Sequence, residues 1–233
     1  MSIIVITGAS QGIGRALAEA FSKEQKSQIV LVSRNKEKLD EVASLCSKNG
    51  AETLVLPCDV TQMSDVAVMG EEVKSKWGVP DVLINNAGLF QPGSLLDMEA
   101  TSFQQQVDVN LSSAFFVTKA FLADMVEQGR GSIFYMASVA SIRAYAGGAA
   151  YCAAKHGLLG LARCVREETK KHGIRVTALL PGATFTPSWE GVDLPEERFM
   201  PASDIAQAVL DIHNMTNRTV VEEIILRPQL GDL

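Results

Sequence analysis

Along the chain, short runs of apolar, largely β-branched residues alternate with longer stretches in which apolar residues recur every three or four positions. Residues 3–7 (IIVIT), 29–33 (IVLVS), 53–56, 82–84, 132–136 (SIFYM), 174–180 and 223–226 read as strands. Helical periodicity covers 15–23, 35–48, 63–76, 99–127 and 149–172, and Ser203-Asp204 is placed to cap a further helix running to about Met215. Asn49-Gly50, Gly78, Gly129 and Gly173 stop four of these helices. Strands without polar alternation, separated by helices, predict a parallel sheet covered on both faces and joined by right-handed crossovers. No repeat or low-complexity tract interrupts the series. Residues 1–233 therefore read as one doubly wound α/β domain of the Rossmann type with about seven strands, and a Pro-rich loop at about 183–201 is its one long irregular segment.

Charge and cysteine usage narrow the functional classes. A net charge of -6 argues against a surface for nucleic acid or an anionic membrane, though it leaves room for a compact basic patch. The apolar pattern starts at Ile3, which leaves no room for a signal peptide, and no run approaches the ~18 uncharged apolar residues of a membrane span. Cys46, Cys58, Cys152 and Cys164 lack paired metal spacing, and His156, His172 and His213 stand far apart. Reduced, packed thiols and no metal site are expected, which fits a cytoplasmic protein.

Two segments carry candidate chemistry. TGASQGIG (Thr7 to Gly14) joins the first strand to the first helix, the context in which glycines admit a phosphate to a helix N-terminus. Gly8 allows the turn, Gly12 the approach of a pyrophosphate, and Gly14 close helix–sheet packing. The second segment is YCAAK, where Tyr151 and Lys155 share one face of a helix. Alone it reads as ordinary helix surface. A neighbouring cation, however, favours phenolate and draws a tyrosine toward useful acid–base chemistry.

These segments, joined by Asp59-Val60, NNAG (Asn85 to Gly88), Asn110, Ser138 and Pro181-Gly182 in that order, make the chain resemble the short-chain dehydrogenase/reductase family over essentially its whole length. The resemblance implies that Tyr151 protonates a carbonyl oxygen and that Lys155 holds the nicotinamide ribose and lowers the Tyr151 pKa. It implies that Ser138 bonds the substrate oxygen and that Asn110 breaks its helix and helps hold a water linking Lys155 to solvent. Cofactor contacts are implied for Ser10, Gln11 and Ile13 in the glycine loop, for Asp59 and Val60 at the adenine, and for Asn86, Ala87 and Gly88 at the adenosine ribose. Past Pro181 and Gly182, the Thr184 and Thr186 hydroxyls would hold the carboxamide. Cys152 and His156 read as packing neighbours.

At the end of the second strand stand Ser33 and Arg34, where NAD use calls for a carboxylate. A guanidinium there can clamp a 2′-phosphate, so NADP(H) is expected in preference to NAD(H). Phe90, Arg143, Tyr145, Phe185, Trp189, Phe199 and Met200 fall in the segments that carry substrate contacts in this family, which suggests an apolar, partly aromatic pocket. Each can equally pack within its own loop, and Arg143 can be a solvated arginine.

TPSW (Thr186 to Trp189) and the stretch VVEEIILRP resemble the branch that includes bacterial sepiapterin reductases and related carbonyl reductases. The expectation is an NADPH-dependent reductase of a ketone or aldehyde. A 3-oxoacyl-thioester reductase, with Arg130 and Lys170-Lys171 as a basic handle for acyl carrier protein, is the alternative. A non-catalytic NADP(H)-sensing regulator is the alternative of another class. A homodimer or homotetramer through the two long helices after the fourth and fifth strands is expected from the family, and Ala114, Ala120, Ala149 and Ala153 suit close packing there.

Overall fold

The computed structural model of the chain describes residues 2–189 and 191–233. Seven parallel strands form its sheet: β1 (Ser2–Thr7), β2 (Ser27–Ser33), β3 (Glu52–Pro57), β4 (Val82–Asn85), β5 (Gly131–Met136), β6 (Ile174–Pro181) and, last in the chain, β9 (Glu223–Leu226). Their order is β3-β2-β1-β4-β5-β6-β9. Chain order reverses between β1 and β4, and that switch point is where loops leave the sheet in opposite directions and open a cleft. The helices are α1 (Gly12–Phe21), α2 (Lys36–Lys48), α3 (Met63–Lys76), α4 (Ala100–Val107), α5 (Ser113–Gln128), α6 (Ala149–Thr169) and α7 (Ala202–His213). One core, under α3, α5 and α6, gathers Val5, Leu83, Phe121, Ile133 and Leu158. The other, under α1, α2 and α7, gathers Ile4, Leu17, Ile84, Phe134 and Val209. Alternate residues of each strand go to opposite faces.

The seven strands and their parallel order match the sequence reading, and their ends differ from it by no more than two residues. The helix expected over 99–127 carries a π-helical turn, Asp108–Ser112, at Asn110, where the family resemblance implies a break. Three departures remain. The last helix starts at Ala202 after Pro201, whose fixed φ of -69° sets the entry, and no side chain caps it, so Ser203-Asp204 is not the cap. The loop after β6 is not wholly irregular: Thr184–Phe185 (β7) pairs with Met200–Pro201 (β8). Cys46, Cys58 and Cys152 are buried as packed thiols, but Cys164 is exposed.

By length and composition, the continuous helical stretch Ala100–Gln128, which contains an 18-residue window of mean hydropathy 1.3, is long and apolar enough to cross a membrane. Its second half lies along the sheet and buries Ala114, Val117, Phe121 and Met125.

Arg175 ties the second core together. From β6 its guanidinium donates to the carbonyls of Met215 (2.9 Å) and His213 (2.8 Å), at the end of α7, and to Ser132 Oγ (2.9 Å). Carbonyls at a helix C-terminus favour a cation. Arg175→Met, which keeps the stem and removes the donors, is expected to lower stability by about 2 kcal/mol. In thermal unfolding that corresponds to a fall of roughly 5 °C in Tm; an unchanged Tm would show that these bonds contribute nothing net.

Candidate active site

The cleft lies at the C-terminal ends of β1, β4, β5 and β6. On its first side, the chain leaves β1 through Gly8 (φ +65°) and enters α1 behind Gln11. A Cβ on Gly14 would stand 2.1 Å from the Gly8 carbonyl oxygen, so this crossing of loop and helix admits only glycine. The first-turn N–H groups of α1 carry no side-chain cap and no acidic neighbour, which suits a phosphate. Ser10 and Ile13 are half-buried on this loop and Gln11 is exposed.

Ser33 and Arg34 face the same region from the end of β2. Ser33 Oγ is buried without a hydrogen-bond partner, and Arg34 is exposed. An orphaned hydroxyl beside an exposed guanidinium, with no carboxylate at the strand end, fits a ribose carrying a 2′-phosphate. Lys38, passed over in the sequence, donates to Gln11 Oε1 at 3.0 Å and so spans the two loops. Its position four residues after Arg34, on the first turn of α2, was the available signal. Asn35 caps that helix by accepting from the Lys38 N–H at 2.8 Å.

Asp59 Oδ1 accepts from the Thr61 backbone (3.0 Å) and hydroxyl (2.8 Å), and Val60 is buried beside it. Asn86 faces inward: its Nδ2 donates to the carbonyls of Thr7 (2.9 Å) and Gly8 (3.3 Å), bracing the glycine loop from the end of β4. Ala87 donates its N–H to Thr7 Oγ1 at 3.1 Å. Gly88 sits between Asn110 Oδ1 and Lys155 Nζ, 3.2 and 3.8 Å from where its Cβ would be.

Around the cleft floor, the four residues of the tyrosine motif converge. Ser138, 8% exposed, lies just past β5; its hydroxyl accepts from the Ala140 N–H (3.1 Å) and donates to the Pro181 carbonyl at the end of β6 (3.4 Å). Lys155 Nζ donates to the Met136 carbonyl (2.7 Å) and lies 5.5 Å from the Tyr151 ring centroid. Asn110 accepts from the Leu89 N–H (3.1 Å) and donates to the Leu89 carbonyl (2.7 Å), so its amide holds the segment after β4.

The electrostatics differ from the simple motif reading. Lys155 is 3% exposed, and burial, without a carboxylate partner among the described residues, pushes its ammonium down to about 7. Tyr151 opens partly to the cleft, yet desolvation still raises its phenol above the ordinary value, with the Ser138 hydroxyl working the other way. Within the chain itself, then, Tyr151 is not drawn toward neutrality by Lys155, and the phenol stays in its protonated form at neutral pH.

Of the residues expected at the substrate, Phe90 meets Tyr151 edge-on (ring centroids 5.1 Å apart) and also reaches Tyr145 (6.3 Å). Phe185 and Trp189 instead pack on Phe199, at 5.8 and 5.0 Å, and make a separate aromatic group within the loop after β6. Phe199 is buried there, while Phe185 remains exposed. Arg143 is exposed and pairs with Asp232 at 3.6 Å. Thr184 turns its hydroxyl to the Gly182 carbonyl (3.1 Å), and a Cβ on Gly12 would meet the Thr186 side chain at 3.2 Å, so the β6 loop closes against the glycine loop. His156 is exposed and bonds the Cys152 carbonyl within its own helix.

Comparison with known proteins agrees with this geometry. The family model described as short chain dehydrogenase matches residues 2–196. The chain is 37% identical to the sepiapterin reductase of Chlorobaculum tepidum, across 99% of this chain and 98% of that protein. Among solved structures it is similar to an alcohol dehydrogenase from the archaeon Thermococcus sibiricus complexed with 5-hydroxy-NADP (TM-score 0.93, 29% identity, covering 100% and 99% of the two chains). It is also similar to a metagenomic short-chain oxidoreductase in complex with NADP (TM-score 0.87, 31% identity, covering 99% and 98%). The chain belongs to the short-chain dehydrogenase family and is an oxidoreductase.

Lys155 offers a direct test of the buried floor. Unfolded, it keeps its proton up to the ordinary lysine range; folded, it keeps it only to about pH 7. Between those values the unfolded state binds the extra proton, so this residue makes stability rise with pH. Lys155→Met removes that slope. The Tm of the variant relative to wild type is therefore expected to be highest near neutral pH and to fall steadily toward about pH 10. A difference independent of pH would contradict a desolvated Lys155.

Proposed function

We propose that the protein is an NADPH-dependent reductase of ketones or aldehydes, with Tyr151 as the proton donor. The observation that carries this reading is the convergence of Tyr151, Ser138 and Lys155 at one cleft floor, with Asn110 bracing the neighbouring segment. NADPH, when bound, supplies the hydride. The first-turn amides of α1 would hold its pyrophosphate, and Ser33 and Arg34 its 2′-phosphate. Asp59 would accept from the adenine amino group, and Lys155 would bond the nicotinamide ribose.

For the chemistry of the chain's own groups, a protonated phenol is the form a reduction needs. The Tyr151 Oη–H donates to the substrate carbonyl oxygen and transfers its proton as negative charge builds there. The Ser138 hydroxyl, whose oxygen is held by the Ala140 N–H, can donate a second hydrogen bond to the same oxygen once its proton turns away from the Pro181 carbonyl. As the phenol loses its proton, a protonated Lys155 beside it stabilises the phenolate.

Two observations support a substrate class. Phe90 and Tyr145 give the cleft an aromatic wall beside Tyr151, which suits a planar or vicinal carbonyl compound, and the likeness to a sepiapterin reductase points the same way. In the alternative with an acyl carrier protein partner, Arg130, paired with Asp81, and Lys170, paired with Glu167, would stand with Lys171 as the basic handle. A homo-oligomer formed through α5 and α6 belongs to the same reading. Exposed Phe115 on α5 would be covered in it, and light scattering would give the copy number.

Two measurements test the proposal. Purified protein is expected to consume NADPH with vicinal diketones or sepiapterin-like pterins, faster than with 3-oxoacyl thioesters and faster than NADH in parallel. Equal use of NADH would overturn the 2′-phosphate assignment. Tyr151→Phe is expected to lower kcat by at least about a hundredfold while leaving NADPH affinity within about twofold. Turnover at the wild-type rate would remove Tyr151 from the proton step.

A further inference from the structure

One fully buried polar side chain has no part in the motif chemistry. Gln106, on α4, is 0% exposed. Its Oε1 accepts from the Gln91 N–H at 3.2 Å and its Nε2 donates to the Gln91 carbonyl at 3.1 Å. Asn110, one turn further on, makes the same reciprocal pair with Leu89, at 3.1 and 2.7 Å. The two amides thus bond alternate residues of the segment after β4 as a neighbouring strand would. The spacings agree: four residues along a helix rise about 6 Å, and two residues along an extended chain rise about 6.6 Å. Phe90 lies between the two rungs, and its ring is the one set edge-on against Tyr151 and Tyr145.

A buried amide without partners is costly, and among the described residues the Gln106 side chain bonds Gln91 alone. Its bonding capacity is committed to the segment that carries Phe90. Tyr151 has Phe90 at one ring contact and the Lys155 ammonium at another, so a shift of residues 89–91 is transmitted to the phenol.

We propose that Gln106 is a positioning residue: with Asn110 it forms a two-rung amide ladder that holds residues 89–91 extended and so fixes Phe90 against the Tyr151 phenol. The catalytic consequence rests on the role proposed above for Tyr151; the ladder itself does not. The ladder constrains where a carbonyl can sit between Phe90, Tyr145 and the phenol, and a displacement near 1 Å at such a place costs up to about a hundredfold in rate.

The test uses two substitutions and two readouts. Gln106→Met keeps the length and removes both hydrogen bonds. Gln106→Glu keeps both only while protonated, when its O–H donates to the Gln91 carbonyl and its C=O accepts from the Gln91 N–H. Once ionised it has no donor and places an anion in a buried site, and burial raises the carboxyl pKa. Asp108, the nearest acid along the chain, is bonded by Gln104 and Ser112, and no ion pair reaches residue 106 among the described residues.

The chain has three tyrosines, Tyr135, Tyr145 and Tyr151, so ring-13C-labelled tyrosine gives three signals, assignable by Tyr→Phe substitution. With Gln106→Met, the Tyr151 and Tyr145 signals are expected to move, while that of Tyr135, bonded to Thr118 in the core, stays. kcat is expected to fall about tenfold with KM for NADPH unchanged, and Phe90→Ala added to Gln106→Met lowers it little further. In Gln106→Glu the tyrosine signals and the rate are expected to resemble wild type at acid pH and the Gln106→Met pattern at alkaline pH. This reversal is read within one folded protein, so a Gln106→Met variant that fails to fold does not remove the test.

An unmoved Tyr151 signal with a lowered Tm would overturn the proposal and leave Gln106 as a packing residue. If wild-type protein turns over no carbonyl substrate, the proposed function fails, and the tyrosine signals still decide the ladder.

Discussion

The cleft depends on a buried knot of hydrogen bonds between the ends of β1 and β4. Thr7 Oγ1 donates to the Ile84 carbonyl and accepts from the N–H groups of Asn86 and Ala87. That uses the full capacity of a hydroxyl, one donor and two acceptor sites. Asn86 returns its amide to the carbonyls of Thr7 and Gly8. Sheet order reverses at this place, so the two chains leave β1 and β4 in opposite directions and cannot satisfy their backbone groups by pairing with each other. The knot supplies those partners. It also sets the glycine loop on one side and Gly88, with Asn110 and Lys155, on the other.

Electrostatically, the floor of the cleft disfavours charge on both of its titratable groups. Lys155 is buried against the Met136 carbonyl with no carboxylate beside it among the described residues, and desolvation works against its charge. Tyr151 is desolvated as well, and the same effect keeps its proton on. The spacing of YCAAK suggests that the lysine simply activates the tyrosine. The tertiary surroundings add a condition: in the folded chain the cation is itself destabilised, so the pair responds to whatever charge enters the cleft. A floor arranged in this way suits a donor that must give up a proton as an oxyanion forms.

Aromatic residues divide into two groups with different work. Phe90 and Tyr145 extend the surface of Tyr151 and form the wall nearest the reacting centre. Phe185, Trp189 and Phe199 stabilise the short β7–β8 pair and let the loop after β6 stand as a folded unit in front of α7. Arg143 is drawn toward the end of the chain by Asp232, which also bonds Arg227.

By itself the sequence determined the strands, the parallel doubly wound class and the glycine loop, which follow from apolar periodicity and from glycine where no Cβ fits. Spacing put Tyr151 and Lys155 on one helix face, whereas Ser138 and Asn110 were singled out only by the family resemblance. Helical periodicity runs through Asp108–Ser112 without a breaker residue, so only the family resemblance pointed to a break at Asn110, and periodicity also misplaced the start of α7, where Pro201 sets the entry. Nor did it reveal Lys38 at Gln11, the inward role of Asn86, or Gln106 against Gln91. Each joins segments distant in the chain, and a polar residue on a helix reads as solvated until a neighbour is seen to cover it. The tertiary structure alone decided the charge state of the floor, because desolvation depends on what surrounds a group and not on its nearest residues in sequence.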